Sequence, residues 1–224
     1  MDLEAALSAL RAEADPERAK GSAAYHKASR TYLGTPNPAI NDLVTGWRQG
    51  MDIAARVGLA DALWQTDIHE ARIAAAKLLT QARIKDDDAV WRLIASWVPQ
   101  FDAWAIADHV CSAGARRLMA NPARLDEVDA WTRSEHMWTK RAAMVITLPW
   151  TKQNFPSEQD LAIRDRVLGW AAGYVSDQQW FIQKAVAWWI RDLSKHDADR
   201  ARAFLETNGT QMKGFARREA GKYL

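Results

Sequence analysis

The stretch Trp180–Lys195, WFIQKAVAWWIRDLSK, decides how the rest of the chain is read. At about 100° per residue, Ile182, Ala185, Val186, Trp189 and Leu193 fall on one side of a helix, and that stripe is built to pack. Lys184, Trp188, Arg191 and Lys195 fall on the other side, so a large aromatic stands inside a row of cations. Two readings are open. In one, the row is a solvated face whose lysine and arginine stems cover a tryptophan that packs on a neighbouring helix. In the other, it is a stacking and cation-contacting surface for an anionic polymer, because nucleic-acid sites combine basic groups with exposed aromatic planes.

Two further segments share the pattern: HEARIAAAKLLTQARI at 69–84 and MWTKRAAMVITLPWTK at 137–152. Aligning Ala74-Ala75, Ala142-Ala143 and Ala185-Val186 leaves room for one more unit between the first two, and FDAWAIADHVC at 101–111 lies there. The resulting spacings, roughly 34 to 47 residues, are those of helical-pair solenoids, in which each pair buries its face only against its neighbours. The expected fold is therefore all-α: a HEAT-like helical-repeat solenoid, a single domain over 1–224. Helices within 1–30 cap it, repeats run over about 36–222, and equivalent second helices line a concave wall. An irregular helical bundle is the alternative, because the repeats are degenerate.

No alternating strand or tight hairpin pattern interrupts this reading. The periodicity predicts helices near 2–14, 16–30, 38–57, 68–83, 87–98, 103–119, 122–133, 137–148, 157–175, 178–195, 197–207 and 211–222. Their ends are marked by Asp15 before Pro16, by Gly34-Thr35-Pro36-Asn37-Pro38, and by Asn121-Pro122, Pro149, Pro156-Ser157 and Asn208-Gly209.

The lone cysteine, Cys111, excludes an internal disulfide and fits a reducing cytosol. The histidines at 26, 69, 109, 136 and 196 give no pair with ligand spacing, so no metal and no cofactor is expected. The N-terminus is amphipathic and acidic, and no long apolar run occurs, which points to a soluble cytoplasmic protein without a membrane partner. Net charge is only +2, but from Lys184 to Lys222 nine cations face five acids, so the remainder of the chain is net negative. Positive charge gathers toward the C-terminus, as a phosphate-binding region requires. Twelve tryptophans are enough to fill a core and still leave some at a working surface.

Asp102 is placed as the N-cap of the 103–119 helix, but Asp108 lies too far in to cap it. Asp108 shares a stripe with Trp104 and Cys111, while Ile106 and Val110 occupy the other side. It reads either as a structural aspartate pairing with an arginine on the next helix or as a working carboxylate. Nothing near Cys111 supplies an activating base, so the thiol reads as packing. Arg141, on a stripe with Val145 and Leu148, needs an acceptor: Asp108 or a phosphate. No Gly-rich phosphate loop, Ser/His/Asp order or paired-carboxylate spacing occurs.

AAYHKASRTYLGTPNP, WAIAD at 104–108, KRAAM at 140–144, WFIQKAVAWWIRDLSK and FARREAGKYL together resemble the AlkD-like DNA alkylation repair glycosylases, which are built from HEAT-like repeats. The resemblance runs from about Ala23 to the C-terminus. It implies that Asp108 is the catalytic carboxylate, that Trp104 and Trp188 are the two cleft tryptophans, that Tyr25 is the N-terminal cleft tyrosine, and that Arg141 and Arg191 contact DNA. Lys195, Arg217 and Arg218 would face the same cleft in the repeat arrangement. The chain departs from the family at Ala103, where a second tryptophan is common, at Ala105, where an acid is common, and at Pro149, where a lysine of the DNA-binding face falls. Lys152 lies near enough to replace that lysine.

What the resemblance implies is hydrolysis of the N-glycosidic bond of N3- or N7-alkylated purines in duplex DNA, by a monomer in a bacterial-type cytosol and nucleoid. A DNA-binding relative without glycosylase activity and a helical-repeat scaffold for another protein are the competing classes. Asp108 between two cleft-type tryptophans speaks against the first, and the basic stripe around Trp188 against the second.

Overall fold

The computed structural model describes residues 1–224. Its regular secondary structure is helical throughout, with one isolated bridge between Thr31 and Ile68. It divides into two compact units, Met1–Ala120 and Asn121–Leu224.

The first unit holds α1 (Leu3–Ala12), α2 (Pro16–His26), α3 (Asn37–Gln49), α4 (Ile53–Gln65), α5 (His69–Leu79), α6 (Asp88–Trp97) and α7 (Trp104–Ala120). Aspartates start several of these: Asp2 accepts from Ala5 N, Asp15 from Glu17 N and Arg18 N, and Asp52 from Ala55 N at 2.8 Å. The span expected as one helix over 38–57 is two, because Gly50 ends α3 and Asp52 caps α4. Apolar spacing carries across that break because both helices bury a face, Ile40, Val44 and Trp47 in α3 and Leu59, Leu63 and Trp64 in α4. Helix α2 stops at His26 rather than near 30, because Lys27 turns left-handed at φ 58°.

Helix α5 is the centre of this unit, packed against α3, α4 and α7 and buried on nearly every side. Beside it Trp64 and Trp97 stack at 4.4 Å and 6°, and Trp64 Nε1 donates to Gln100 Oε1 at 2.9 Å. Arg117 of α7 is buried; it pairs with Asp87 at 3.0 Å and donates to the Gln81 and Ala82 carbonyls, which fastens α7 to the loop before α6. Cys111 is buried on the same helix.

The second unit holds α8 (Leu125–Trp131), α9 (Met137–Ile146), α10 (Glu158–Tyr174), α11 (Trp180–Ser194), α12 (Ala198–Asn208) and α13 (Gly214–Ala220). Its central helix is α11, which touches α9, α10, α12 and α13 and buries Ile182, Val186, Trp189 and Leu193 completely. A capping box between Ser157 and Asp160 starts α10. Arg164 of α10 does for this unit what Arg117 does for the first. It is buried, donates to the Trp150 and Gln153 carbonyls at 2.8 and 2.7 Å, and pairs with Asp197 at 3.2 Å. Each unit is thus assembled on a helix from the set of related segments, with a second member alongside: α7 beside α5, and α9 beside α11.

Candidate functional site

In the first unit the candidate residues come from α2 and α7. The chain after α2 is strapped onto the start of α5: His69 N donates to Thr31 O, and buried Glu70 accepts from Leu33 N and Gly34 N, both at 2.8 Å. Gly34 sits at φ +76°, and a Cβ there would lie 2.1 Å from Asp15 O, so no other residue fits this turn. The strap leaves Tyr25 on the last turn of α2, 69% exposed, with its ring edge-on to Trp104 at 6.1 Å. Trp104 opens α7, and Asp108 follows one turn later on the same stripe; both are half-buried. The structure therefore brings Tyr25 and Trp104 together from distant parts of the sequence.

Behind them lies a stack that the sequence reading did not anticipate. His26 packs against Trp104 at 5.5 Å and against His69 at 4.7 Å, and Tyr32 stacks on His69 at 4.8 Å. Burial, with the cationic forms of His26 and Arg30 adding repulsion, pushes His69 down to about 3, and burial with Arg30 lowers His26. His69 is therefore a neutral, aromatic support at pH 7. The only sequence signal for this stack was the aromatic and imidazole density of AAYHKASRTYLG. Its partner His69 stands at the start of another helix.

Asp102 does not cap α7, which begins two residues later at Trp104. Its carboxylate instead accepts from Arg30, whose side chain is buried and also lies 3.6 Å from Asp67. The acid ties the strap to the entry of α7.

In the second unit Trp188, Arg191 and Lys195 share one face of α11, as the spacing predicts, and Trp188 is half-exposed while Trp189 is fully buried. The organiser of that face is Asp192, which the sequence reading counted only as one acid among others. It is buried, accepts from Trp188 Nε1 at 3.1 Å, and pairs with Arg191 at 3.2 Å. Lys195 and Lys152 each bring a Nζ to 3.9 Å of it. Lys152, at the end of the 3-10 segment Leu148–Lys152, is thus brought to the same acid as Arg191 and Lys195. An i, i+4 Trp–Asp spacing was the available signal.

Arg191 also pairs with Glu219 of α13, and Lys195 lies over the Tyr223 ring at 4.6 Å. Arg217 and Arg218, just before Glu219 on α13, are exposed. Arg141 differs from these: it is 4% exposed, with its guanidinium 5.7 Å over Trp138. Lys184 is directed to Trp180 rather than Trp188, lying 5.3 Å over a ring that also stacks on Phe215.

No three histidine, cysteine or acidic side chains gather where they could share a metal ion. No helix is long and apolar enough to cross a membrane.

Residues 6–224 match the family model described as DNA alkylation repair enzyme. Among solved structures, the chain is similar to a predicted DNA alkylation repair enzyme from Enterococcus faecalis at 21% identity and a TM-score of 0.78, covering 95% of this chain and 97% of that one. It is also similar to AlkD2 from Streptococcus mutans at 18% identity and a TM-score of 0.63, covering 84% and 90%. The smu.31 protein of Streptococcus mutans UA159 gives 19% identity and 0.65, covering 84% and 92%. No curated protein matches. At these identities the structural likeness is one of fold.

Proposed function

The chain belongs to the family of DNA alkylation repair enzymes, and from that premise we propose that it is a DNA glycosylase that hydrolyses the N-glycosidic bond of N3- or N7-alkylated purines in duplex DNA. The observation that carries this reading is the pairing on α7 of a half-buried tryptophan with a half-buried carboxylate one turn on, with the exposed Tyr25 set against the same tryptophan.

The chemistry suits these residue types. An alkylated purine is already cationic, so the C1′–N bond can break with its electron pair leaving on a neutral base, and no general acid is needed. The deoxyribose becomes an oxocarbenium-like cation, and water adds to C1′ and gives up a proton. Negative charge and π density are what lower this barrier. Asp108 stabilises the sugar cation and orients the water. The indole faces of Trp104 and Trp188 attract positive charge, worth about 0.5–2 kcal/mol each.

Tyr25 lines the DNA beside Trp104. Arg191, Lys195, Arg217 and Arg218 supply positive charge for phosphates, whereas Arg141 is buried and stands back from that surface. Asp192 is a positioning residue: it holds the Trp188 indole and keeps Arg191, Lys195 and Lys152 gathered on one face.

Incubation of the protein with a duplex carrying one N7-methylguanine, scored for free base against an unmodified duplex, tests the proposal. Released 7-methylguanine well above the spontaneous rate is the expected result. Duplex binding without release would instead favour a DNA-binding relative that has lost the reaction, and neither binding nor release would favour a protein-interaction scaffold.

A further inference from the structure

A cavity of about 300 Å3 opens between α3, α5 and α7, on residues other than the Tyr25–Trp104 patch. Its wall includes Asn41, Thr45 and Arg48 from α3, Lys77 from α5, and His109 and Ser112 from α7, and no carboxylate lines it. The two cations there are satisfied only by neutral groups. Lys77 Nζ donates to Asn41 Oδ1 at 2.6 Å, and the Arg48 guanidinium reaches Thr45 Oγ1 at 3.5 Å. They also act on one another: burial and then Arg48 lower the Lys77 ammonium, and burial and then Lys77 hold the His109 imidazole at about 4.

Two like charges held near each other, without an acid to offset them, form a site of standing positive potential. Around it stand hydroxyl and imidazole donors from separate helices, a set that suits an oxyanion with several acceptor oxygens. The volume equals that of roughly ten waters at ~30 Å3 each, enough for a hydrated phosphate group but small for a whole nucleotide.

We propose that this cavity is a phosphodiester-binding subsite, in which Arg48 and Lys77 take one backbone phosphate of a bound duplex while Thr45, Ser112 and the His109 ring donate around it. The proposal rests on the reading that the protein binds DNA. His109 follows Asp108 directly on α7, so a phosphate fixed here sets the register of the strand relative to that carboxylate and to Trp104, which is the work of backbone contacts in general.

The test compares the wild type with Lys77→Gln, Arg48→Gln and Arg92→Gln, the last an exposed cation on α6 outside the cavity. Affinity for an unmodified duplex is measured by fluorescence anisotropy across a potassium chloride series, with a melting curve for each variant. Loss of one phosphate contact makes the slope of log affinity against log salt shallower by about 0.9. The expected result is that change in Lys77→Gln and Arg48→Gln at unaltered melting temperature, with the Arg92→Gln slope unchanged. Equal slopes in all four proteins, or the same change in Arg92→Gln, overturn the subsite. If the wild type binds no duplex, the DNA reading itself has failed, and inorganic phosphate at constant ionic strength becomes the probe. A saturable shift of the His109 ring resonances that is absent in Lys77→Gln then assigns the cavity to free phosphate, and no shift in the wild type overturns it.

Discussion

The Trp188 indole Nε1 donates to Asp192 Oδ2 at 3.1 Å, one turn along the same helix, and the other oxygen of that carboxylate takes Arg191. An aromatic plane and a set of cations are therefore held by a single buried acid, so changes at position 192 act on orientation and charge separately.

Asp192→Asn keeps an acceptor for the indole and removes the charge. Duplex affinity is expected to rise and its salt dependence to steepen, because Arg191, Lys195 and Lys152 are less neutralised, at a stability loss of about 1–3 kcal/mol. Asp192→Ala also frees the indole, so its single-turnover base release should fall below that of Asp192→Asn at matched DNA saturation. Equal release from the two variants would show that the indole needs no holding.

Adjacent tryptophans on α11 have different tasks. Trp189 is fully buried, and Trp189→Ala should cost about 3–5 kcal/mol in a denaturant titration. Trp188→Ala, on the half-exposed face, should lower base release far more than it lowers the melting temperature. The reverse pattern would contradict the assignment of the two faces.

For Asp108 the isosteric change separates the catalytic role from the structural one. Asp108→Asn removes the charge that stabilises the sugar cation, so single-turnover release of N7-methylguanine should fall while affinity for lesion DNA holds or rises. A stable variant with undiminished release would remove Asp108 from the chemistry. A joint fall in melting temperature and binding would mark it as a structural partner.

Acid should loosen the first unit through its histidines. His69 and His109 titrate at about 3 and about 4 in the folded protein against about 6.5 unfolded, with burial as the main cause of each shift. Between those values the unfolded chain binds protons that the folded chain does not, so stability is full above the unfolded value and is lost as pH falls. The loss is at most about 1.4 kcal/mol per pH unit for each histidine. Urea denaturation at pH 7 and pH 5 should show the drop, and His69→Phe should make it smaller. A pH-independent midpoint would mean that these rings are solvated.

Much of this protein was legible one helix at a time. Apolar spacing alone separated the buried Trp189 from the half-exposed Trp188, predicted helices where α5, α7, α9 and α11 are found, and put Trp104 and Asp108 on one stripe. A stripe depends only on the angle between successive residues, so neighbours in sequence suffice to define it. Spacing failed where one apolar period ran through a break, as at Gly50 between α3 and α4, because two helices can each satisfy the same pattern. Partners from different elements were beyond its reach. The His26–His69 stack behind Trp104, the diversion of Asp102 to Arg30, and the meeting of Lys152 with Asp192 all join residues far apart in the chain. Only packing of one helix on another decides such pairs, because burial and charge compensation are properties of the assembled interior, whereas helical periodicity is a property of the chain itself.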